Sequence, residues 1–273
     1  MKLADSHIHL FRGGYSARYG PAFARGDELA LYETFRRLHD IEVALVVGYE
    51  EDERFHGNNR DIAKWARRHE WIRPLEFRAT DNPPMAPEKE ECGYVGIALY
   101  AMTARDAQRL CDWPGKAFDL LNAERAIVSI NARPEALAAL RPFAECLDEC
   151  SILISHLGLP GAYATPPSSA EARARLEPLR NLAALGQVGV KLSGLYAASD
   201  PSHDYPHRAA HPFLNEIWHD FGPRRLYWGS DFSPALEHVS FAQAVDALSH
   251  MEWDAASMEA VMGGNLLALL GEG

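Results

Sequence analysis

Histidines 7 and 9, in the stretch LADSHIHLF, stand two residues apart, with Asp5 two residues earlier. On an extended strand that spacing predicts all three side chains on one face, with Ser6, Ile8 and Leu10 on the other. One strand histidine is more often a hydrogen-bonded core residue than a ligand, but two at this spacing each need partners once buried. Two later stretches carry matching groups: ISHLG holds His156 and YWGSD holds Asp231. Taken singly, His156 reads as a helix-start residue and Asp231 as a helix N-cap. Three imidazoles and a carboxylate arriving together at the ends of separate strands make a ligand set of the kind zinc accepts.

Further polar side chains fall at strand ends. Arg12, Tyr49, Arg78, Tyr100, Asn131 and Arg133 do so, Lys191 and Ser193 lie within a later strand, and Tyr196 follows it. Tyr205, His207 and Arg208 occupy the next loop. A planar guanidinium grips a carboxylate through two parallel hydrogen bonds. Arg12, Arg78 and Arg133 are therefore candidates for holding an acidic substrate, against the commoner role of a surface ion pair. Tyr49, Tyr100, Asn131, Lys191 and Tyr196 are further candidate substrate contacts, with Lys191 either substrate-facing or snorkelling to the outside. His39, His69, His219 and His250 fall in helical stretches and are expected to face solvent.

The elements that must position these groups repeat along the chain. Eight strand-like apolar runs occupy 2–11, 42–49, 72–80, 93–101, 125–131, 151–158, 187–194 and 224–231. Stretches with apolar residues three and four apart intervene at 27–40, 58–70, 134–150, 170–186 and 210–222. Pro142 is expected to kink the third of these, and Gly186 and Gly222 to stop the last two. The proline-rich connection at 81–92 predicts a shortened or missing helix. Near-continuous apolar strands alternating with helices argue for a parallel sheet covered on both faces. Eight units without a G-x-G-x-x-G or Walker signature favour one closed (β/α)8 barrel domain over residues 1–273, its chemistry at the carboxyl ends of the strands. The closing stretch GGNLLALLG reads as a helix whose Asn265 caps or braces the loop of the eighth strand.

Composition narrows the partners. The formal charge of −11 disfavours nucleic acid and anionic membranes, so an acidic substrate would need local arginines. The N-terminus lacks an apolar leader core, and no run of 18 apolar residues occurs; a cytoplasmic protein is expected. Cys92, Cys111, Cys146 and Cys150 form no C-x-x-C pair and read as buried reduced thiols, with Cys146 and Cys150 on one face of a helix.

DSHIHLF, ISHLGLPG, VKLSGLY, RLYWGSDFSP and GGNLLALLG, in this order over residues 4–271, together resemble the amidohydrolase superfamily. More narrowly they resemble its amidohydrolase-related branch of lactonases and decarboxylases. VKLSG and the SHLG-x-P form are most similar to the lactonases that open pyrone dicarboxylates, sulfomuconolactones and sugar lactones. The resemblance implies a distorted (β/α)8 barrel. It carries over His7 and His9 as the strand-one pair, His156 as the strand-six histidine and Asp231 as the strand-eight acid. Binuclear members draw a bridging lysine or glutamate and a histidine from strands four and five; here those strands end in Tyr100 and Asn131. The implied cofactor is therefore one divalent ion, zinc or manganese, and some members of the subgroup use none. Decarboxylases of the branch carry a further histidine after the strand-six one, where this chain reads KLSG in strand seven.

The expected function is hydrolysis of a small, carboxylate-bearing lactone by water attack on the ester carbonyl, with Asp231 as general base and His156 beside it. The cation would polarise the carbonyl, or the imidazoles would donate to the oxyanion. A metal-dependent nonoxidative decarboxylase is the alternative. A silent barrel that only binds a small acid is a third reading, disfavoured by a carboxylate set beside three imidazoles.

Overall fold

The computed structural model describes residues 2–15, 26–85 and 93–272. Eight parallel strands pair in chain order: β1 (Leu3–Ile8), β2 (Ile41–Val47), β3 (Ile72–Arg78), β4 (Gly96–Ala101), β5 (Ile127–Ala132), β6 (Ser151–Ile154), β7 (Val188–Leu192) and β8 (Leu226–Trp228). The ring returns on itself through a parallel bridge between Ile8 and Phe232, and through the Asp231 amide donating to the His7 carbonyl at 2.9 Å. The result is a distorted (β/α)8 barrel in which the candidate acid sits on the closing seam.

Both strand faces are apolar because both are covered. Ala4, Val43, Leu45, Leu75, Ala98 and Leu153 fill the interior, where Leu266 and Leu267 of the closing helix join them. Leu3, Ile8, Val46, Ile72, Val128 and Ile152 belong to the larger layer under the helices. Asn265 braces β8 as expected, donating to the Pro223 and Leu226 carbonyls at 2.7 and 2.8 Å. Packing between β4 and β5 leaves no room at Gly96, where a Cβ would lie 1.9 Å from the Ile127 carbonyl oxygen.

The helices follow the predicted order with local breaks. α1 (Glu28–Leu38) and α2 (Asn58–Ala66) lie in the first two predicted stretches. Two helices unforeseen from the periodicity, α3 (Ala104–Cys111) and α4 (Gly115–Ala123), separate β4 from β5. The 134–150 stretch divides into α5 (Pro134–Leu137) and α6 (Arg141–Glu145), each with proline in its first turn, so Pro142 begins a segment rather than kinking one. α6 stops at Glu145, so Cys146 and Cys150 share no helix; Cys146 is exposed, Cys111 half-buried and Cys150 buried. Pro178 likewise splits the next stretch into α7 (Ser169–Arg175) and α8 (Glu177–Arg180), and the helix ends well before Gly186. α9 (His211–Phe221) stops at Gly222 as predicted. Cys92 and most of the 81–92 connection lie outside the described residues. No helix among the described residues is long and apolar enough to cross a membrane.

Candidate active site

The chain leaves the barrel abruptly at three strand ends, and the polar groups sit on those exits. β1 ends at Ile8, β6 at Ile154 and β8 at Trp228, so His9, His156 and Asp231 stand just past their strands. His156 and Asp231 hold left-handed φ angles of 53° and 57°. Non-glycine residues avoid that region, and such strain gathers at functional sites. The pairing of β1 with β2 is irregular between Asp5 and Ile8, which breaks the strict alternation predicted for LADSHIH. Asp5 consequently does not share the histidines' face. Its carboxylate accepts from Tyr32 of α1 at 3.0 Å and from the amides of Ser230 and His7 at 2.9 and 3.2 Å, tying β1 to the β8 exit.

His7 and His9 meet at the mouth with their Nε2 atoms 3.2 Å apart. His9 Nδ1 lies 2.8 Å from the Val47 carbonyl. A carbonyl only accepts, so that nitrogen carries the proton and Nε2 turns a lone pair into the site. His7 Nδ1 lies 3.4 Å from Ser155 Oγ and 3.3 Å from Lys191 Nζ. Lys191 is wholly buried inside the barrel rather than snorkelling, and donates to Ser129 Oγ at 2.8 Å. Burial lowers its pKa to about 7, with Asp5 and Asp231 opposing the shift. Burial also drives His7 well below its ordinary value, helped by Lys191, and brings His9 to about 4. His156 falls to about 4, by burial and then by Lys191; its Nδ1 lies 3.0 Å from Ser193 Oγ. All three rings are therefore neutral at pH 7.

Asp231 lies against this group, Oδ1 3.7 Å from His7 Nε2 and Oδ2 3.9 Å from His156 Nδ1. Tyr196 donates its hydroxyl to Oδ2 at 2.7 Å. Burial raises the Asp231 pKa to about 6, against the pull of His9 and the Tyr196 hydrogen bond. The ligand atoms of His7, His9 and Asp231 all lie within 4.8 Å of one another. The inward lone pair of His9, with His7 Nε2 3.2 Å away and a carboxylate alongside, fits a divalent cation, whose bonds to nitrogen of about 2.1 Å can span the gap between the two rings once the His7 proton sits on Nδ1. His156 stands beside this triad, its ring centroid 4.5 Å from that of His7.

The cavity above is about 410 Å³, with His9, His156 and Asp231 at its base. Tyr49, Tyr100, Asn131 and Tyr196 line it, together with Phe11, Tyr15, Phe55 and Met102. Asn131 Oδ1 is buried and has no hydrogen-bond partner among the described residues. Arg12 and Arg78 are not brought to the cavity: Arg12 pairs with Asp61 at 2.6 Å and Arg78 with Glu76 at 2.8 Å. Arg133 borders a neighbouring space. Glu51, Asp52 and Arg54 were not foreseen; they enter from the charged stretch EEDER, which reads as an ordinary surface loop. Tyr205 bonds to Asp246 and His250, and His207 is buried, both away from this cavity. His219 and His250 are exposed, whereas His39 and His69 lie half-buried against Phe241 and Trp71.

A family model described as an amidohydrolase matches residues 4–271. An L-fucono-1,5-lactonase from Burkholderia ambifaria is 31% identical over 116 residues, which is 42% of this chain and 38% of that protein. The match thus spans well under half of that relative's length. Among solved structures, an amidohydrolase from Burkholderia multivorans with bound zinc superposes with a TM-score of 0.81 at 19% identity, covering 99% of both chains. A Pseudomonas putida protein, provisionally assigned as a 2-pyrone-4,6-dicarboxylic acid hydrolase, superposes with a TM-score of 0.69 at 22% identity, covering 99% of this chain and 98% of that one.

Proposed function

The chain belongs to the amidohydrolase family, and from that premise we propose that it is a hydrolase that opens a small lactone by adding water to the ester carbonyl. The observation that carries this reading is Asp231: a buried carboxylate with its pKa pushed up to about 6, oriented by Tyr196 at the base of the cavity. A base with a pKa near the working pH combines the ionised form with enough proton affinity to act. Asp231 takes a proton from the attacking water and passes it to the leaving ring oxygen. His156 lies on the same rim, where it can hold the substrate carbonyl. Bound by His7, His9 and Asp231, with His156 alongside, a divalent cation such as zinc or manganese would supply Lewis acidity toward the carbonyl.

The substrate this cavity suits is neutral and rich in hydrogen-bond donors. Arg12 and Arg78, expected to hold an acidic group, are engaged by Asp61 and Glu76. Glu51 and the unpartnered Asn131 Oδ1 instead offer acceptors among tyrosine and phenylalanine rings. A hydroxylated lactone ring meets both features, and the curated relative's name points the same way. The test is turnover of a panel of sugar-derived and dicarboxylate-bearing lactones. Asp231→Asn is expected to lower kcat/KM on the best of them by about 10²–10⁴-fold. Undiminished turnover by that variant would remove Asp231 from the role of base.

A further inference from the structure

His156 borders two spaces. Besides the aromatic cavity it lines a second one of about 450 Å³, with Arg133, Glu135 and Arg175 among its walls. The two are electrically opposed. Arg54 faces Glu51, Asp52 and Asp231 in the first, whereas two guanidiniums face one carboxylate in the second. The Arg133 guanidinium has no ion pair or hydrogen bond among the described residues. Arg175 donates from Nε to the Pro160 carbonyl, and its terminal nitrogens have no such partner. His156, common to both cavities, opens the turn after β6, where His156, Leu157 and Leu159 hold φ angles of 53°, 58° and 52°. Gly194 packs against the His156 ring: a Cβ there would lie 2.6 Å from Nδ1. Three left-handed non-glycine residues in one turn mark a segment held in place by its surroundings.

We propose that this basic cavity is the subsite for the product's carboxylate. The inference rests on the lactonase reading, because that reaction changes the charge of the ligand. Water adds to the carbonyl carbon, the bond from that carbon to the ring oxygen breaks, and one water proton goes to the new alcohol. The acid that forms releases the second proton as it ionises. A neutral ligand suited to the aromatic cavity thus becomes an anion beside His156, with three carboxylates and Arg54 on one side and two guanidiniums and Glu135 on the other. The carboxylate turns toward Arg133 and Arg175, where planar guanidinium pairing favours it, while the hydroxylated end remains among the aromatic rings.

The experiment takes the panel lactone with the highest kcat/KM and uses the hydroxy acid formed from it as the inhibitor. Competitive inhibition is expected. The ratio of the acid's inhibition constant to the lactone's KM is expected to rise at least fivefold in Arg133→Gln, further in Arg133→Gln/Arg175→Gln, and less in Arg133→Lys, which keeps the charge. Thermal midpoints near that of the parent protein establish that the variants are folded, and calorimetric titration with the same acid reads its affinity without turnover. An unchanged ratio and unchanged acid affinity in a double variant that still opens the lactone overturn the subsite alone. Absence of turnover on every lactone by the parent protein overturns the lactonase reading, and the subsite with it.

Discussion

At the scale of single residues, Asp231 and its Tyr196 partner determine how the site responds to pH. A base works only when ionised, and burial has lifted this carboxyl to about 6. With the cation absent it is protonated below that value, so kcat/KM of the metal-stripped protein is expected to fall about tenfold per pH unit on the acid side and to level off above it. The Tyr196 hydroxyl stabilises the charged form and so opposes the rise. Tyr196→Phe is therefore expected to move the acid limb of the profile upward; a limb that stays in place would show that this hydrogen bond does not tune the base. The histidines make a separate claim. Elemental analysis of protein purified without chelator is expected to find about one equivalent of zinc or manganese, lost in His7→Ala/His9→Ala. Retention of the ion by that double variant would place it elsewhere.

Strand pairing and turn geometry decide the next scale, and they separate two glycines that look alike in sequence. Gly96→Ala forces a methyl to 1.9 Å from the Ile127 carbonyl oxygen, so the β4–β5 pairing must shift. The expected loss is about 1–3 kcal/mol or more, read as a drop of several degrees in Tm. Gly115→Ala at the start of α4 meets nothing within 4 Å and is expected to gain about 0.4–1 kcal/mol, because alanine restricts the unfolded chain. Equal effects at both positions would contradict this account of the barrel wall. Elements were also where sequence patterns were most readable. Apolar runs located all eight strands, and Gly222 stopped its helix where expected. α3 escaped notice although Thr103 and Asp106 form a capping box at its start, because the helix is short and Trp113–Pro114 interrupts the periodicity. The candidate ligands His7, His9, His156 and Asp231, chosen for their places at strand ends, do lie together in the structure. The partners of Arg12 and Arg78 could not: Asp61 arrives from α2, and Glu76 lies two residues before Arg78, where a local pair and a substrate contact look the same.

At the scale of the whole molecule, the −11 formal charge and the acid-lined mouth act together on any approaching ligand. Their field repels anions and is indifferent to neutral molecules. Raising ionic strength is therefore expected to increase kcat/KM for a carboxylate-bearing lactone and to leave that for a neutral one flat. A neutral substrate that responds to salt as strongly as the anionic one would remove electrostatics from the account of specificity. The central claim concerns which bond breaks and what attacks it, and water labelled with heavy oxygen reads both. With the best lactone of the panel, enzyme-dependent opening is expected to place one labelled oxygen in the product's carboxylate, with no carbon dioxide released, and Asp231→Asn is expected to abolish nearly all of it. Label in the alcohol, release of carbon dioxide from an acidic substrate with no lactone opened, or full incorporation by Asp231→Asn would contradict it.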